Sequence, residues 1–137
     1  MESRYKILEH TADLKIRSFG KDLKELFSNT AFAMTEFIYG ENLAGKTADK
    51  KERIEIKSKD RESLLVDWLS EILYLSNANR MAYIGYDIKE ITDVKITAEV
   101  FSCEAKAAED IKAATFNDLE IKQQEDGNWT AVVVYDI

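Results

Sequence analysis

The sequence predicts an α+β fold in which two amphipathic helices pack on one face of a mostly antiparallel sheet. Two observations lead to this prediction. Two segments repeat apolar residues at helical spacing, whereas most of the remaining chain alternates between apolar and polar residues, as strands do. In addition, the last third of the chain holds several such strands with no helix between them. A parallel pair of strands needs a long crossover connection, usually a helix, so this order favours antiparallel pairing.

The first helix is predicted over residues 22–39. Its apolar residues recur at intervals of three and four, which places them on one face: Leu23, Leu26, Phe27, Ala31, Met34, Phe37 and Ile38. Asp22 and Glu25 have the spacing of a capping box with aspartate as the cap, and Gly20 stands just before them. These signals place the start of the helix near Asp22.

The second helix is predicted over residues 61–76. Its apolar stripe is wide and comprises Leu64, Leu65, Trp68, Leu69, Ile72, Leu73 and Leu75. A stripe of this width indicates a deeply buried helix, and we expect it to lie across a face of the sheet.

Six further segments predict strands. They are residues 14–19, 53–57, 83–91, 94–101, 119–123 and 129–137. Asp126-Gly127-Asn128, between the last two, is a hairpin turn signal. The small, polar stretch 40–49 contains two glycines and predicts a loop inside one domain. We therefore expect residues 1–137 to form a single domain.

Composition narrows the class of protein. The 137 residues include 19 basic and 26 acidic side chains, for a net charge of −7, and are 45% apolar and 33% charged. This composition is too apolar for a disordered chain and too charged for a membrane protein. The negative charge argues against a broad nucleic-acid surface, which is usually basic. The basic stretch 50–61 is diluted by acidic residues, and we interpret it as a solvated face.

Familiar catalytic and targeting motifs are not recognisable. The single cysteine, Cys103, and the single histidine, His10, exclude a disulfide framework, a cysteine-rich zinc site and an HExxH motif. Cys103 stands beside Glu104, whose negative charge would not stabilise a thiolate, so we interpret it as a packing residue. The charged start of the chain has no apolar segment of signal-peptide length, and we expect a cytoplasmic protein.

Two acidic features remain as candidates for chemistry. Glu9-His10-Thr11-Ala12-Asp13 lies between two extended segments and is open to two interpretations, a simple turn or part of a site. Tyr135-Asp136-Ile137 places the Asp136 side chain beside the main-chain carboxylate of Ile137. This ending is also open to two interpretations, a strand end with a solvated aspartate or a cation site. For a cation site, oxygen ligands without histidine or cysteine suit Ca²⁺ or Mg²⁺ over Zn²⁺. The spacing alone does not show that Asp13 and Asp136 meet.

Four segments of the sequence resemble blocks of the archease family. They are His10-Thr11-Ala12-Asp13 with Gly20 and residues 23–27, the second-helix block 64–71, the block 111–116, and the ending 132–137. The blocks occur in family order and span nearly the whole chain.

The resemblance implies a protein cofactor with no turnover of its own. Archeases promote guanylylation and multiple turnover of the RtcB-type RNA ligase, which joins tRNA halves after intron removal. The resemblance also implies an antiparallel sheet with two helices. It implies a divalent cation held by Asp13, Asp136 and the carboxylate of Ile137, with Ca²⁺ expected and Mg²⁺ or Mn²⁺ as alternatives. Lys112, with His10, is assigned to activation of the partner.

Two other functions stay open at this point. The first is a chaperone-like modulator of a tRNA methyltransferase, a role also proposed for the family. The second is a small metal-dependent hydrolase, which we rank low because no base or nucleophile accompanies the carboxylates. We expect neither sequence-specific nucleic-acid binding nor a membrane partner. One departure is Asn117, where many family members carry histidine; asparagine keeps a hydrogen-bonding edge but does not titrate near neutral pH.

Overall fold

The computed structural model of this chain describes residues 3–8 and 13–137. The elements of this part, in chain order, are β1 (Tyr5–Leu8), β2 (Leu14–Gly20), α1 (Leu23–Tyr39), a short 3₁₀ helix (Gly40–Leu43), β3 (Lys50–Lys57), α2 (Arg61–Asn79), β4 (Met81–Ile91), β5 (Lys95–Glu104), β6 (Ala113–Ala114), β7 (Glu120–Gln123) and β8 (Trp129–Asp136). The α+β class predicted from the sequence is confirmed.

The strands form two antiparallel sheets. The first has the order β1-β2-β8-β6, with β7 also paired to β8, and the second has the order β3-β5-β4. Each described strand pair is antiparallel. The sequence pattern predicted a single sheet because alternation has the same period of two in every strand and does not indicate which strands pair.

The start of α1 follows the sequence prediction with one difference. The Asp22 side chain accepts a hydrogen bond from the Glu25 backbone N–H at 2.8 Å, as an N-cap does. In a capping box, the side chain of the third helical residue accepts a hydrogen bond from the backbone N–H of the cap residue. Here the Glu25 carboxylate instead accepts from the backbone N–H of Lys21, one residue earlier, at 3.0 Å. Together, these two hydrogen bonds stabilise the turn that leads from β2 into α1.

The second helix is deeply buried, as its wide apolar stripe predicted. Trp68 and Leu69 are fully buried, and the Trp68 indole N–H donates to the Phe27 carbonyl at 3.0 Å. The helix runs to Asn79, three residues beyond the predicted end at residue 76. It ends at Arg80, which adopts a left-handed backbone conformation with φ 55°.

The two helices join the two sheets into one core. α1 packs against β2 and β8 of the first sheet and β4 of the second, and α2 packs against β3, β4, β5 and β6. A continuous cluster of buried apolar residues runs through both sheets and both helices. Within the described ranges, neither helix combines the length and apolar character that crossing a membrane requires.

Candidate functional site

The register between β2 and β8 brings the two candidate aspartates together. Leu14 pairs with Tyr135 at the last paired position of the two strands. Asp13 directly precedes Leu14 and Asp136 directly follows Tyr135, so the two aspartates stand at the same end of these two strands. The first and last candidate blocks of the sequence therefore meet at one end of the first sheet.

Lys112 reaches the same end from the other edge of β8. Ala113 of β6 pairs with Asp136, and the Lys112 backbone N–H donates to the Asp136 carbonyl at 2.8 Å. Lys112 thus lies beside the backbone of Asp136. Asp13, Lys112, Asp136 and Ile137 stand at the same end of the first sheet, which we call the acidic end.

The last strand presents the acidic end to solvent. Tyr135 is fully buried in the core, whereas Asp136 is exposed and Ile137 is 49% exposed. Burial raises the pKa of the Tyr135 hydroxyl well above its usual range, so this anchor stays neutral. Because Tyr135 is locked into the core, the position of Asp136 is set by packing.

The loop after β6 is fastened beside this end. The Thr115 backbone N–H and its hydroxyl both donate to the Val134 carbonyl, at 3.0 and 2.8 Å. Asn117 donates its backbone N–H to the Thr115 hydroxyl at 3.2 Å, and its side chain is exposed. These bonds hold Phe116 outward, with 59% of its surface exposed. An exposed aromatic residue on a fastened loop is a candidate partner contact that residue types alone did not single out.

The donor set of the acidic end fits a hard cation. Asp13 and Asp136 supply carboxylate oxygens, the ligand type that Ca²⁺ and Mg²⁺ prefer. Across residues 3–8 and 13–137, the structure places no three side chains of histidine, cysteine, aspartate or glutamate together as metal ligands. The main-chain carboxylate of Ile137, the third ligand that the family resemblance implies, stays a prediction. Cys103 is buried, and burial raises the pKa of its thiol, in agreement with its interpretation as a packing residue.

Two of the sequence interpretations concern residues 9–12. His10 was assigned to activation of the partner, and Glu9 to Asp13 was open to interpretation as a simple turn. Both depend on residues that lie outside the described ranges, and they stay predictions.

The fold defines a class of small α+β proteins in which two helices join two antiparallel sheets. Over residues 5–137 the sequence matches the archease protein family. The chain therefore belongs to the archease family, and the resemblance drawn from its four sequence blocks is confirmed.

Individual relatives agree along the whole chain. The chain is 40% identical to the protein archease of Methanosarcina acetivorans, over 98% of this chain and 96% of that one. It is 31% identical to the protein archease of Pyrococcus abyssi, over 98% of this chain and 99% of that one.

Two solved structures share the fold. Protein 1598 of Methanobacterium thermoautotrophicum has a TM-score of 0.78 at 31% identity, and the match covers 98% of this chain and 99% of that one. A Thermotoga maritima archease, described as a "possible chaperone", has a TM-score of 0.62 at 21% identity, and the match covers 96% of each chain. The second comparison bears on the fold alone.

Proposed function

We propose that this protein is a non-catalytic activator of an RtcB-type RNA ligase in cytoplasmic tRNA splicing, and that it promotes guanylylation and multiple turnover of the ligase. The observation that supports this proposal most is the β2–β8 register, in which Leu14 pairs with Tyr135, so that Asp13 and Asp136 stand at the same end of these two strands. These are the aspartates that the family resemblance assigns to a cation. The strand pairing gives an independent physical reason for them to act together.

The proposed roles come from the family resemblance, and residue chemistry agrees with them. Asp13, Asp136 and the main-chain carboxylate of Ile137 hold a divalent cation, for which Ca²⁺ is our first candidate and Mg²⁺ or Mn²⁺ are alternatives. When bound, such an ion neutralises the carboxylates and offers a positive centre to a phosphate or carboxylate group. Lys112 lies beside them and adds a cation that reaches a phosphate or carboxylate of the partner. His10 keeps its assignment to partner activation.

Activation needs a contact that distinguishes two states of the ligase. A protein that binds the resting and the guanylylation-competent states equally well shifts no population. We therefore place the contact of the acidic end on the competent state. The net charge of −7 also suits a ligase with a basic RNA-binding face, because complementary potentials speed encounter.

The direct test is ligase guanylylation with GTP, with and without this protein. Wild type is expected to accelerate the reaction, and Asp13→Asn, Asp136→Asn and Lys112→Gln are expected to return it toward the rate of the ligase alone. Glu125→Gln is the matched control, because it changes one charge in the turn before β8, at the far end of that strand. Circular dichroism checks that every variant is folded. Acceleration that survives all three substitutions would remove the acidic end from the mechanism.

The main-chain carboxylate allows a second test, by calcium titration calorimetry. One glycine added after Ile137 converts that carboxylate into a peptide carbonyl and moves the negative charge away. We expect the Ca²⁺ affinity to fall by about ten-fold or more, because ligand charge sets affinity at such sites. An N-terminal glycine is the control and is expected to change nothing. Equal affinity in both extended proteins would exclude Ile137 as a ligand.

The second candidate is a chaperone-like modulator of a tRNA methyltransferase. It stays open because the resemblance to the archease family implied this role as well as ligase activation. Such a role would survive loss of Asp13 and Asp136 and would depend on exposed apolar surface. Among described residues, the large exposed apolar side chains lie in separate segments: Ile7, Tyr74, Val94, Phe116 and Ile137. If methyltransferase solubility or specificity depended on this protein while ligase guanylylation did not, the chaperone role would replace our proposal.

A further inference from the structure

An open surface groove with a volume of about 530 Å³ lies where α2 ends. Its lining residues are Lys46, Asn79, Arg80, Glu104, Ala105 and Lys106. The three basic residues come from three segments: the loop before β3, the end of α2 and the loop after β5. The fold thus brings together three cations that are far apart in the sequence.

These three cations have no ionic partners in the described part of the chain. Most lysines of the second sheet do: Lys51 lies 3.5 Å and Lys89 3.4 Å from Glu99, and Lys95 lies 3.3 Å from Glu90. Within residues 3–8 and 13–137, no ion pair joins Lys46, Arg80 or Lys106 to a carboxylate. Glu104 also lines the groove but lies outside ion-pair distance of these nitrogens. The groove is a local positive site on a protein whose net charge is −7.

The backbone of Arg80 adds an observation about residue choice. Arg80 has φ 55° and ψ 44°, the left-handed conformation in which helices commonly end. Glycine is the usual residue there because it has no Cβ, and other residues adopt the conformation at a cost. Arginine at this position indicates that its side chain has a use that glycine would not supply.

We propose that this groove binds a phosphate group, supplied by free phosphate or by the backbone of a single-stranded RNA. Asn79 is neutral, and one of its two amide N–H groups already donates to the Tyr83 hydroxyl at 2.9 Å. Recognition therefore falls on the guanidinium of Arg80 and the ammonium groups of Lys46 and Lys106. Arginine suits phosphate through paired N–H donors, and lysine acts as a mobile point charge. The site needs neither the acidic end nor the ligase.

The test uses two probes, inorganic phosphate and a short oligouridylate, in titrations of the full chain followed by NMR chemical shifts. For the oligonucleotide, three phosphate contacts predict a slope of log affinity against log salt of roughly −2, at about 0.7 per contact. Arg80→Gly removes the charge while it relieves the left-handed backbone. We expect it to weaken binding about three- to ten-fold and to reduce the slope to roughly −1.4.

Lys122→Gln is the matched control, since it removes one exposed charge from β7, on the other sheet. It is expected to leave both probes unaffected. Binding of either probe that is weakened in Arg80→Gly and unchanged in Lys122→Gln supports the site, and the probe or probes that bind identify its source. Equal weakening by both substitutions would mean diffuse charge attraction and overturn the proposal. Failure of both probes to bind would also overturn the proposal. If neither probe bound and Arg80→Gly lowered the melting temperature, the role of the three charges would be to stabilise the C-terminal end of α2, where unpaired backbone carbonyls carry partial negative charge.

Discussion

At the scale of single residues, the hydroxyl groups of two tyrosines donate hydrogen bonds to carboxylates. Tyr83 is buried, with only 1% of its surface exposed. Its hydroxyl donates to the Glu52 carboxylate at 2.7 Å. Burial and the bond to Glu52 raise the pKa of Tyr83 to about 12. On the other sheet, the Tyr5 hydroxyl donates to Glu36, and its pKa is raised to about 12 for the same two reasons. Each of these tyrosines is held in its neutral form by a carboxylate acceptor.

The raised pKa of Tyr83 predicts loss of stability in alkali. A tyrosine in the unfolded chain has a pKa of about 10, so the unfolded state loses its proton first. The stabilisation is fully present below pH 10 and is lost as the pH rises from about 10 toward 12. Each such tyrosine contributes a decline of up to about 1.4 kcal/mol per pH unit.

Urea unfolding at pH 9, 10 and 11 measures this decline. Tyr83→Phe removes the titrating group and is expected to make the decline shallower than in wild type, although the variant starts from a lower stability. Lysine titration affects both proteins and cancels in the comparison. Parallel declines would show that Tyr83 has no raised pKa in the folded state.

At the scale of elements, the junction between β2 and α1 depends on Gly20. A Cβ atom on this residue would lie 2.4 Å from the Leu26 backbone nitrogen and 2.7 Å from its Cα. Backbone atoms of a capped helix cannot move aside as a flexible side chain can. The absence of a side chain at Gly20 therefore lets the first turn of α1 pack directly on the end of β2.

We predict that Gly20→Ala destabilises the protein by roughly 1–3 kcal/mol, the range found for overpacked sites. Gly85→Ala is the control, because a Cβ there would lie 3.4 Å from the Phe101 side chain, an ordinary contact. Thermal unfolding of the two variants measures the difference. If they proved equally stable, α1 would be free to shift away from β2 without cost.

The sequence predicted elements better than it predicted their arrangement. Both helices follow from periodicity, and the start of the first also follows from its cap, because those signals are local. β1 was expected only as an extended segment, and two-residue β6 was missed, because runs this short carry little pattern. Asp13 and Asp136 could be chosen as candidates from residue type and family resemblance. Their proximity depends on strand register, which no local pattern contains.

At the scale of the whole molecule, the surface divides into distinct regions. The outer face of the second sheet is a network of paired charges, such as Lys95 with Glu55 and Glu90. This agrees with the interpretation of the basic stretch 50–61 as a solvated face. The acidic end differs, because the loop beside its carboxylates exposes Phe116. This combination makes it the better candidate for a protein interface, where aromatic anchors carry much of the binding energy.

On the proposed function, Phe116→Ala is expected to weaken the functional interaction with the ligase by about ten-fold or more, the range of an interface anchor. The free energy of unfolding of the Phe116→Ala variant should change by less than about 0.5 kcal/mol, because the side chain is 59% exposed. Tyr74→Ala, a substitution of a 64% exposed aromatic residue on α2, is the control. The measurement is the concentration of each variant that gives half-maximal guanylylation. Identical values for the two variants would place the interface elsewhere.

The position of β8 between other strands of the first sheet also bears on the order in which the sheet folds. The last strand in the sequence lies between β2 on one side and β6 and β7 on the other. A nascent chain that has not yet supplied residues 129–136 leaves β2 with an open edge and β6 and β7 with nothing to pair with. Contacts between strands so distant in sequence close late and slow folding. The two aspartates reach the same end of the sheet only when that closure is complete. On the proposed function, cation binding would therefore require a finished sheet.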